Sequence, residues 1–233
     1  MNTNDIATPV SPDAPKMFVY DTAKPAAITK KQQEFLPLYN DKNPMLALKQ
    51  PLFDMANPPC NVIEFANQML YTMSHYGGVG LAAPQCGFPY RMFVMIGGIV
   101  CINPVIIQHS KETVYTKEGC LSFPGLYLPV TRPESITISY TNEFGNRVEQ
   151  TWNGATARVA QHEFDHLEGV VFTSRVGSLT LQMAKKKRQK LFKKINRVVE
   201  MKANHLKSTG RDTTYKPQSP QVPTTAVQSN REN

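Results

Sequence analysis

Two stretches of the chain place apolar residues at helical spacing. Residues 62–73 carry an apolar side chain every three or four positions, and Asn61 stands before them where it can cap the first turn. Residues 154–167 are apolar on nearly every side, with Asn153 as the candidate N-cap and Gly169 as the candidate stop. The pattern therefore predicts one amphipathic helix and, later in the chain, a second helix that is buried.

Shorter apolar stretches between these helices have the character of strands. They cover residues 91–96, 105–107 and 135–140, and the last of them alternates between apolar and polar side chains. Residues 142–146 contain Asn and Gly at positions suited to a hairpin turn. We therefore expect an α+β fold in which antiparallel or mixed sheets pack around the helix at 154–167.

Basic charge is concentrated near the C-terminus. Between Met183 and Lys207 the chain has ten Lys or Arg residues and one acidic residue, Glu200, which gives a net charge of +9. The whole chain of 233 residues carries +8, so the remainder is close to neutral. The apolar residues of the segment fall at helical spacing, which predicts a basic amphipathic helix; they are Leu191, Phe192, Ile195, Val198 and Val199.

A basic helix of this kind can bind RNA, an anionic membrane or a partner protein, or it can simply pack its apolar stripe on the core. The two ends of the chain are rich in Pro and polar residues. We expect a flexible arm at 1–26, a catalytic domain at 27–176, the basic helix at 177–207 and a disordered tail at 208–233.

The residues give no indication of export. The four cysteines have no paired spacing, and the first residues are polar with no apolar stretch behind them, so neither disulfides nor a signal peptide is expected. No run of residues is long and apolar enough for a membrane span, and no Arg-rich transit peptide is evident. A cytoplasmic location is favoured.

The helix at 154–167 contains the sequence His162-Glu163-Phe164-Asp165-His166. Side chains four residues apart share one helix face, so His162 and His166 can bind one metal ion. Glu163 follows the first histidine and can reach a water molecule on that ion. The arrangement is typical of metal-assisted hydrolysis.

A catalytic metal site of this type needs a third protein ligand. Downstream, Glu168 is too close along the helix, and Glu200 and His205 lie in the basic segment. Upstream, Cys120 follows the turn-forming Gly119, and a thiolate is a good soft ligand. We select Cys120 as the third ligand.

A glycine-rich segment, Gly77 to Gln85, precedes these residues. It lacks the Lys-Ser/Thr of a phosphate loop. Glycines allow a close approach of the backbone, so the segment can offer its main-chain N–H and C=O groups to an extended peptide. Gln85 adds a side-chain amide donor.

Three segments, Gly78–Gln85, Glu118–Ser122 and Gln161–Leu167, resemble in order and spacing the signature motifs of the peptide deformylase family. The resemblance extends over about residues 40 to 175. It implies removal of the formyl group from the N-terminal formyl-methionine of nascent polypeptides, with release of formate. It also implies Fe(II) as the ion, with Zn(II) or Ni(II) able to occupy the same ligands.

The resemblance also implies roles for individual residues. Cys120, His162 and His166 hold the ion, and Glu163 acts as general base and then as general acid. The carbonyl oxygen is met by the Gln85 amide and the Leu121 main-chain N–H. The substrate backbone pairs with Val79, Gly80 and Gly119, and the methionine pocket is formed by Ala155, Arg158, Val159 and His162, with Tyr127 at the rim where some relatives carry Arg.

Glu118 and Arg132 are a candidate ion pair behind the Cys120 segment, and Asp165 is expected to orient a neighbour. For a deformylase, the ribosome is the leading partner hypothesis for the basic helix, because nascent chains emerge there. We expect a monomer in a bacterial cell, or in the host cytoplasm if the chain is phage-encoded. The alternative is an HExxH-type metalloendopeptidase, which would give no role to Cys120 or Gln85.

Overall fold

The computed structural model describes residues 35–208. The predicted arm at 1–26 and the predicted tail, apart from Ser208, lie outside this range. The helices are α1 (Val62–His75), α2 (Gly154–Leu167) and α3 (Ser178–Ser208), with short 3-10 turns at Pro44–Ala47, Ala83–Cys86 and Phe172–Arg175. The strands are β1 (Gly80–Ala82), β2 (Met92–Met95), β3 (Ile99–His109), β4 (Thr113–Gly119), β5 (Tyr127–Pro133), β6 (Ser135–Thr141) and β7 (Arg147–Asn153).

The strands form two antiparallel sheets. The larger sheet has the order β1-β2-β3-β6-β7, and β4 pairs with β5 in a separate hairpin. Every pairing between these strands is antiparallel. The predicted α+β class is confirmed, and of the two predicted sheet types the described strands adopt the antiparallel one.

Helix α2 packs its apolar side chains against the larger sheet. Ala157, Ala160 and Leu167 are fully buried in one core cluster with Phe93 of β2 and Ile138 of β6. Burial of a side chain as large as Leu167 contributes roughly 1.5–3 kcal/mol. The sheet therefore fixes the position of the helix that carries both histidines.

The start of α2 differs from the expectation in one detail. Asn153 occupies the N-cap position, but its side chain makes no capping hydrogen bond. Asn153 is also the last residue of β7, and the next residue, Gly154, has a φ of +54° and donates its N–H to the Glu134 carbonyl. The strand therefore leads directly into the helix, and the turn at Gly154 replaces a side-chain cap.

The end of α2 is as predicted. Gly169 has a φ of +71° and lies two residues after the last helical residue, Leu167. A Cβ at Gly169 would stand 2.7 Å from the carbonyl carbon of Leu48. Glycine is thus required both by the left-handed conformation and by the close passage of the Leu48 segment.

The predicted strand at 105–107 is the middle of a longer strand, β3, which begins at Ile99. Asn103 interrupts the pairing of β3 with a φ of +50°, and the register with β6 shifts there. The Asn103 side chain both accepts from the Phe53 N–H and donates to the Phe53 carbonyl, at 2.8 Å each. Asparagine tolerates the left-handed region, and here its side chain joins β3 to the segment around Phe53.

Two local predictions are confirmed. The Asn61 side chain accepts from the Glu64 N–H and caps α1. The turn between β6 and β7 is closed by the Asn142 N–H, which donates to the Asn146 carbonyl, while Gly145 has a φ of +84°.

Helix α3 is the predicted basic helix. Near its start, Leu181 and Ala184 pack against the core cluster that contains Phe123, Leu126 and Phe172. From residue 189 onward most of its side chains are exposed. Among the described residues, α3 included, there is no helix long and apolar enough to cross a membrane.

Candidate metal centre

Three side chains converge at the predicted ligand positions. Cys120 follows the end of β4, and His162 and His166 lie one turn apart on α2. Their candidate ligand atoms all lie within 4.8 Å of one another, and the Cys120 Sγ is 3.3 Å from the His166 Nε2. Tetrahedral coordination with metal–N and metal–S bonds of about 2.0–2.3 Å separates ligand atoms by about 3.5 Å.

His162 is held by its second ring nitrogen. Its Nδ1 lies 3.1 Å from the Glu118 Oε2, which leaves the Nε2 for the centre. Burial disfavours the charged imidazole, but hydrogen bonds with Cys120 and Glu118 outweigh it and raise the pKa of His162 to about 10. A metal ion binding there would displace this proton.

His166 lies in a drier position. The residue is 1% exposed, and its Nδ1 has no hydrogen-bond partner among the described residues. Burial, and then the charge on His162, lower the pKa of His166 well below its ordinary value. Its imidazole is therefore neutral, the form that binds metal.

Glu118 connects His162 to two arginines. Its carboxylate accepts from the Arg132 Nε at 2.6 Å, from the Arg132 Nη2 at 2.8 Å and from the Arg158 Nη1 at 2.7 Å. Burial opposes ionisation, but the hydrogen bonds from Arg132 and His162 prevail and lower the pKa of Glu118 to about 2. The predicted Glu118–Arg132 pair is confirmed.

The same network continues behind α2. The Arg132 Nη1 donates to the Asp165 Oδ2 at 2.8 Å, and Asp165 also pairs with Arg175. Arg132 is 2% exposed, so its charge is compensated entirely by buried carboxylates. Asp165 orients Arg132, as expected, whereas Arg175 was not identified from the sequence because an arginine after a helix is usually solvated.

Glu163 faces the cleft beside the three ligands. It is 4% exposed, and among the described residues its Oε2 is buried without a hydrogen-bond partner. Burial raises the pKa of Glu163 to about 7, although the charges of His162 and Arg132 act against the shift. A carboxyl group with this pKa can both accept and donate a proton near neutral pH.

Gln85 lies beside Cys120 and is held at both ends of its amide. The Ala82 N–H donates to Oε1 at 2.8 Å, while Nε2 donates to the Ser122 Oγ at 3.2 Å and lies 3.4 Å from the Cys120 Sγ. The amide N–H group therefore points toward the centre. The role of Ser122 was not identified from the sequence, because a serine beside a ligand gives no pattern of its own.

Gln85, Cys120, His162 and Glu163 border a cleft of about 510 Å³. Six of the predicted substrate residues line it, together with Leu121: they are Val79, Gly80, Gly119, Tyr127, Arg158 and Val159. Ala155 does not line the cleft; it is exposed on the first turn of α2. The Arg158 guanidinium is occupied by Glu118 and by the carbonyls of Val130 and Val114, so only its aliphatic part is available to a ligand.

The donor set fits a divalent ion. Two imidazoles and the Cys120 sulfur lie within 4.8 Å of one another, and the unpaired Glu163 oxygen is buried beside them. Three protein ligands leave a fourth position for water or substrate, as in catalytic zinc-type sites. The family model for polypeptide deformylases matches residues 36–182.

The chain belongs to the polypeptide deformylase family. The peptide deformylase of Thermotoga petrophila is 41% identical over 140 residues, which cover 59% of this chain and 85% of the relative. The crystal structure of peptide deformylase from Thermotoga maritima matches with a TM-score of 0.57 and 39% identity, over 62% of this chain and 99% of that chain. This chain is accordingly a hydrolase of the peptide deformylase class.

A second solved structure gives a similar match. The peptide deformylase from Synechococcus elongatus, crystallised in complex with actinonin, has a TM-score of 0.62 and 35% identity, over 66% of this chain and 88% of that chain. The part of the deformylase chain matched by the family model ends at residue 182, early in α3. Most of the basic helix therefore lies beyond it.

Proposed function

We propose that this enzyme hydrolyses the formyl amide of N-formyl-methionyl nascent polypeptides and releases formate. The observation that carries the proposal is the convergence of Cys120, His162 and His166 beside the buried, unpaired carboxylate oxygen of Glu163. The amide nitrogen of Gln85 lies 3.4 Å from the Cys120 Sγ. A water nucleophile, a proton carrier and an oxyanion donor thus find places in one cleft.

A divalent ion held by these three ligands would polarise the formyl carbonyl and lower the pKa of a water molecule. We propose Fe(II) as the ion used in cells, with Zn(II) or Ni(II) able to bind the same residues. The mixed imidazole and thiolate set is compatible with all three ions. Metal analysis after anaerobic purification, with activity measured in each metal-loaded form, tests the assignment; an iron form no more active than the zinc form would contradict it.

Glu163 would carry the proton. As a carboxylate it accepts a proton from the attacking water, whose oxygen bonds to the formyl carbon. When the C–N bond breaks, Glu163 returns the proton to the departing amine. A pKa of about 7 suits a group that performs both transfers.

Gln85 and Leu121 would stabilise the oxygen of the tetrahedral intermediate. The Gln85 amide is fixed by the Ala82 N–H and the Ser122 hydroxyl, so little reorganisation is needed when charge develops. Leu121 follows the ligand Cys120 and can offer its main-chain N–H. Losing one such donor costs about 10²–10³ in turnover.

The substrate would lie along the main chain of Val79, Gly80 and Gly119, which border the cleft. Val159 and the aliphatic part of Arg158 would face the methionine side chain, with Tyr127, which is 65% exposed, at the rim. Ala155, which was also expected in this pocket, is exposed and does not line the cleft.

The deciding experiment measures formate release from formyl-Met-Ala-Ser, with cleavage of an internal peptide bond assayed in parallel. We expect formate release without endopeptidase activity. Glu163→Ala is expected to abolish turnover while metal content is retained. Internal cleavage without formate release would favour the metalloendopeptidase instead, and full activity of Glu163→Ala would refute the mechanism.

The positive charge of helix α3 supports the hypothesis that the enzyme binds the ribosome. The lysines and arginines of α3 from Lys190 to Lys202 are exposed, and anionic RNA attracts such a surface. We propose that the enzyme works as a monomer on nascent chains at the ribosome in the cytoplasm of a bacterium or of a phage-infected host. Reversing Lys193, Lys194 and Arg197 to Glu is expected to abolish salt-sensitive co-sedimentation with ribosomes; unchanged co-sedimentation would refute the contact.

A further inference from the structure

Helix α3 touches the cleft wall that follows Cys120. The Phe192 ring packs over Gly125, where an added Cβ would stand 3.3 Å from the ring, and Leu191 approaches the same glycine. Gly125 belongs to the turn between Cys120 and β5, and the residues of this turn line the cleft. Leu121, the proposed main-chain donor, begins that turn. The wall therefore lies between the substrate space and α3.

The same helix also touches the other side of the cleft. The Arg188 Nη1 donates to the Asp41 Oδ2 at 2.9 Å. Two residues before Asp41, the Tyr39 N–H donates to the Gln85 carbonyl at 2.7 Å, and Leu38 lines the cleft. Arg188 is thus connected through one short segment to the residue that presents the side-chain amide.

The two contacts are coupled on α3. Arg188 and Phe192 are four residues apart on one helix face, and the guanidinium carbon lies 5.4 Å from the centre of the Phe192 ring. The Arg188 side chain is 18% exposed. Lys185, Lys186 and Lys187, which precede it, are exposed. Arg188 is therefore much less exposed than the lysines that precede it.

We propose that Arg188 and Phe192 form a clamp that positions the two sides of the active-site cleft. Phe192 supports the turn that contains Leu121, and Arg188 holds the segment that is hydrogen-bonded to Gln85. Both are positioning residues, since neither reaches the reacting atoms. The inference deepens the proposed function, because it assigns to α3 a part in the same cleft. The exposed basic residues from Lys193 to Lys202 remain available to a partner.

Kinetics and hydrogen exchange test the clamp in the full-length, metal-loaded enzyme. In Phe192→Ala and in Arg188→Ala we expect kcat/KM for formyl-Met-Ala-Ser to fall about tenfold, because small displacements of oriented groups are costly. Amides of residues 120–127 should exchange faster in Phe192→Ala. The controls Asn196→Ala and Val198→Ala alter exposed residues of the same helix, and we expect kinetics and exchange within about twofold of the parent.

A charge swap separates positioning from general loss of structure. Arg188→Asp and Asp41→Arg are each expected to lower kcat/KM, and the double variant to recover most of it, because the ion pair is restored with reversed sign. A double variant no better than the worse single variant would overturn the clamp, as would parental kinetics and exchange in Phe192→Ala. If the parent enzyme releases no formate, the proposed function fails, while the exchange measurement still decides the clamp.

Discussion

The Glu118 Oε2 lies 3.1 Å from the His162 Nδ1, on the side of the ring that faces away from Cys120. A carboxylate in this place fixes the ring orientation and makes the imidazole a better ligand. Glu118 is itself held by Arg132 and Arg158, so the ligand is oriented by a network rather than by one contact. The network explains why the segment that supplies Cys120 also begins with a glutamate.

Replacing Glu118 by Gln is expected to weaken metal binding about 10–100-fold, since the charge that supports the His162 ring is lost. The affinity can be measured by competition with a chromophoric chelator. Glu149→Gln, on the exposed part of β7, is the matched control and should bind metal like the parent. Equal affinities of the two variants would contradict the role of Glu118.

Replacing Arg132 by Met is expected to lower the free energy of unfolding by about 3–5 kcal/mol, because Glu118 and Asp165 would remain buried without their shared partner. Urea unfolding measures the change. Arg147→Met, on the exposed start of β7, serves as the control and should change stability by less than about 0.5 kcal/mol. A loss for Arg132→Met no larger than that of the control would show that the buried pairs are energetically dispensable.

The convergence of the three candidate metal ligands could be predicted from their residue types and spacing. His162 and His166 are related by helix periodicity alone, and Cys120 was selected because it follows the turn-forming Gly119 and can supply a soft thiolate donor. The resemblance implied that Ala155 lines the pocket, yet Ala155 is exposed on the first turn of α2 and is not among the residues that line the cleft. The direction of a helix relative to a cleft depends on packing, which one sequence does not reveal.

The β4–β5 hairpin escaped prediction for a related reason. Most of the β4 side chains are exposed, so the alternation that identifies a half-buried strand is absent there. The start of β3 was not predicted either, because the left-handed conformation of Asn103 interrupts the strand pattern. The contact of Phe192 with Gly125 joins residues 67 positions apart in the chain, and no local pattern encodes it.

A Gly80→Ala substitution is expected to reduce turnover about 10²-fold with metal content unchanged. The added Cβ would lie 2.5 Å from the Glu163 Oε1 and 2.8 Å from the Val159 Cγ1, so the proton carrier must move. Steady-state kinetics and metal analysis measure the two quantities. Gly177→Ala, where a Cβ meets nothing within 4 Å, is the matched control, and equal turnover of both variants would contradict the close approach.

Thiol labelling is expected to distinguish the cysteines at pH 8. Burial, followed by the charge of Glu163, raises the pKa of Cys86 to about 12, and burial raises that of Cys101 well above its ordinary value. Since only the thiolate reacts, both should resist iodoacetamide in the folded enzyme, whereas Cys60, partly exposed and with a smaller rise in pKa, should react slowly. Mass spectrometry of digests gives the labelled fraction at each position.

In concentrated urea all four cysteines should react, because an unfolded thiol has a pKa of about 8.5. Labelling of Cys86 in the folded enzyme at the rate of the unfolded chain would contradict the prediction and show that its site opens to solvent.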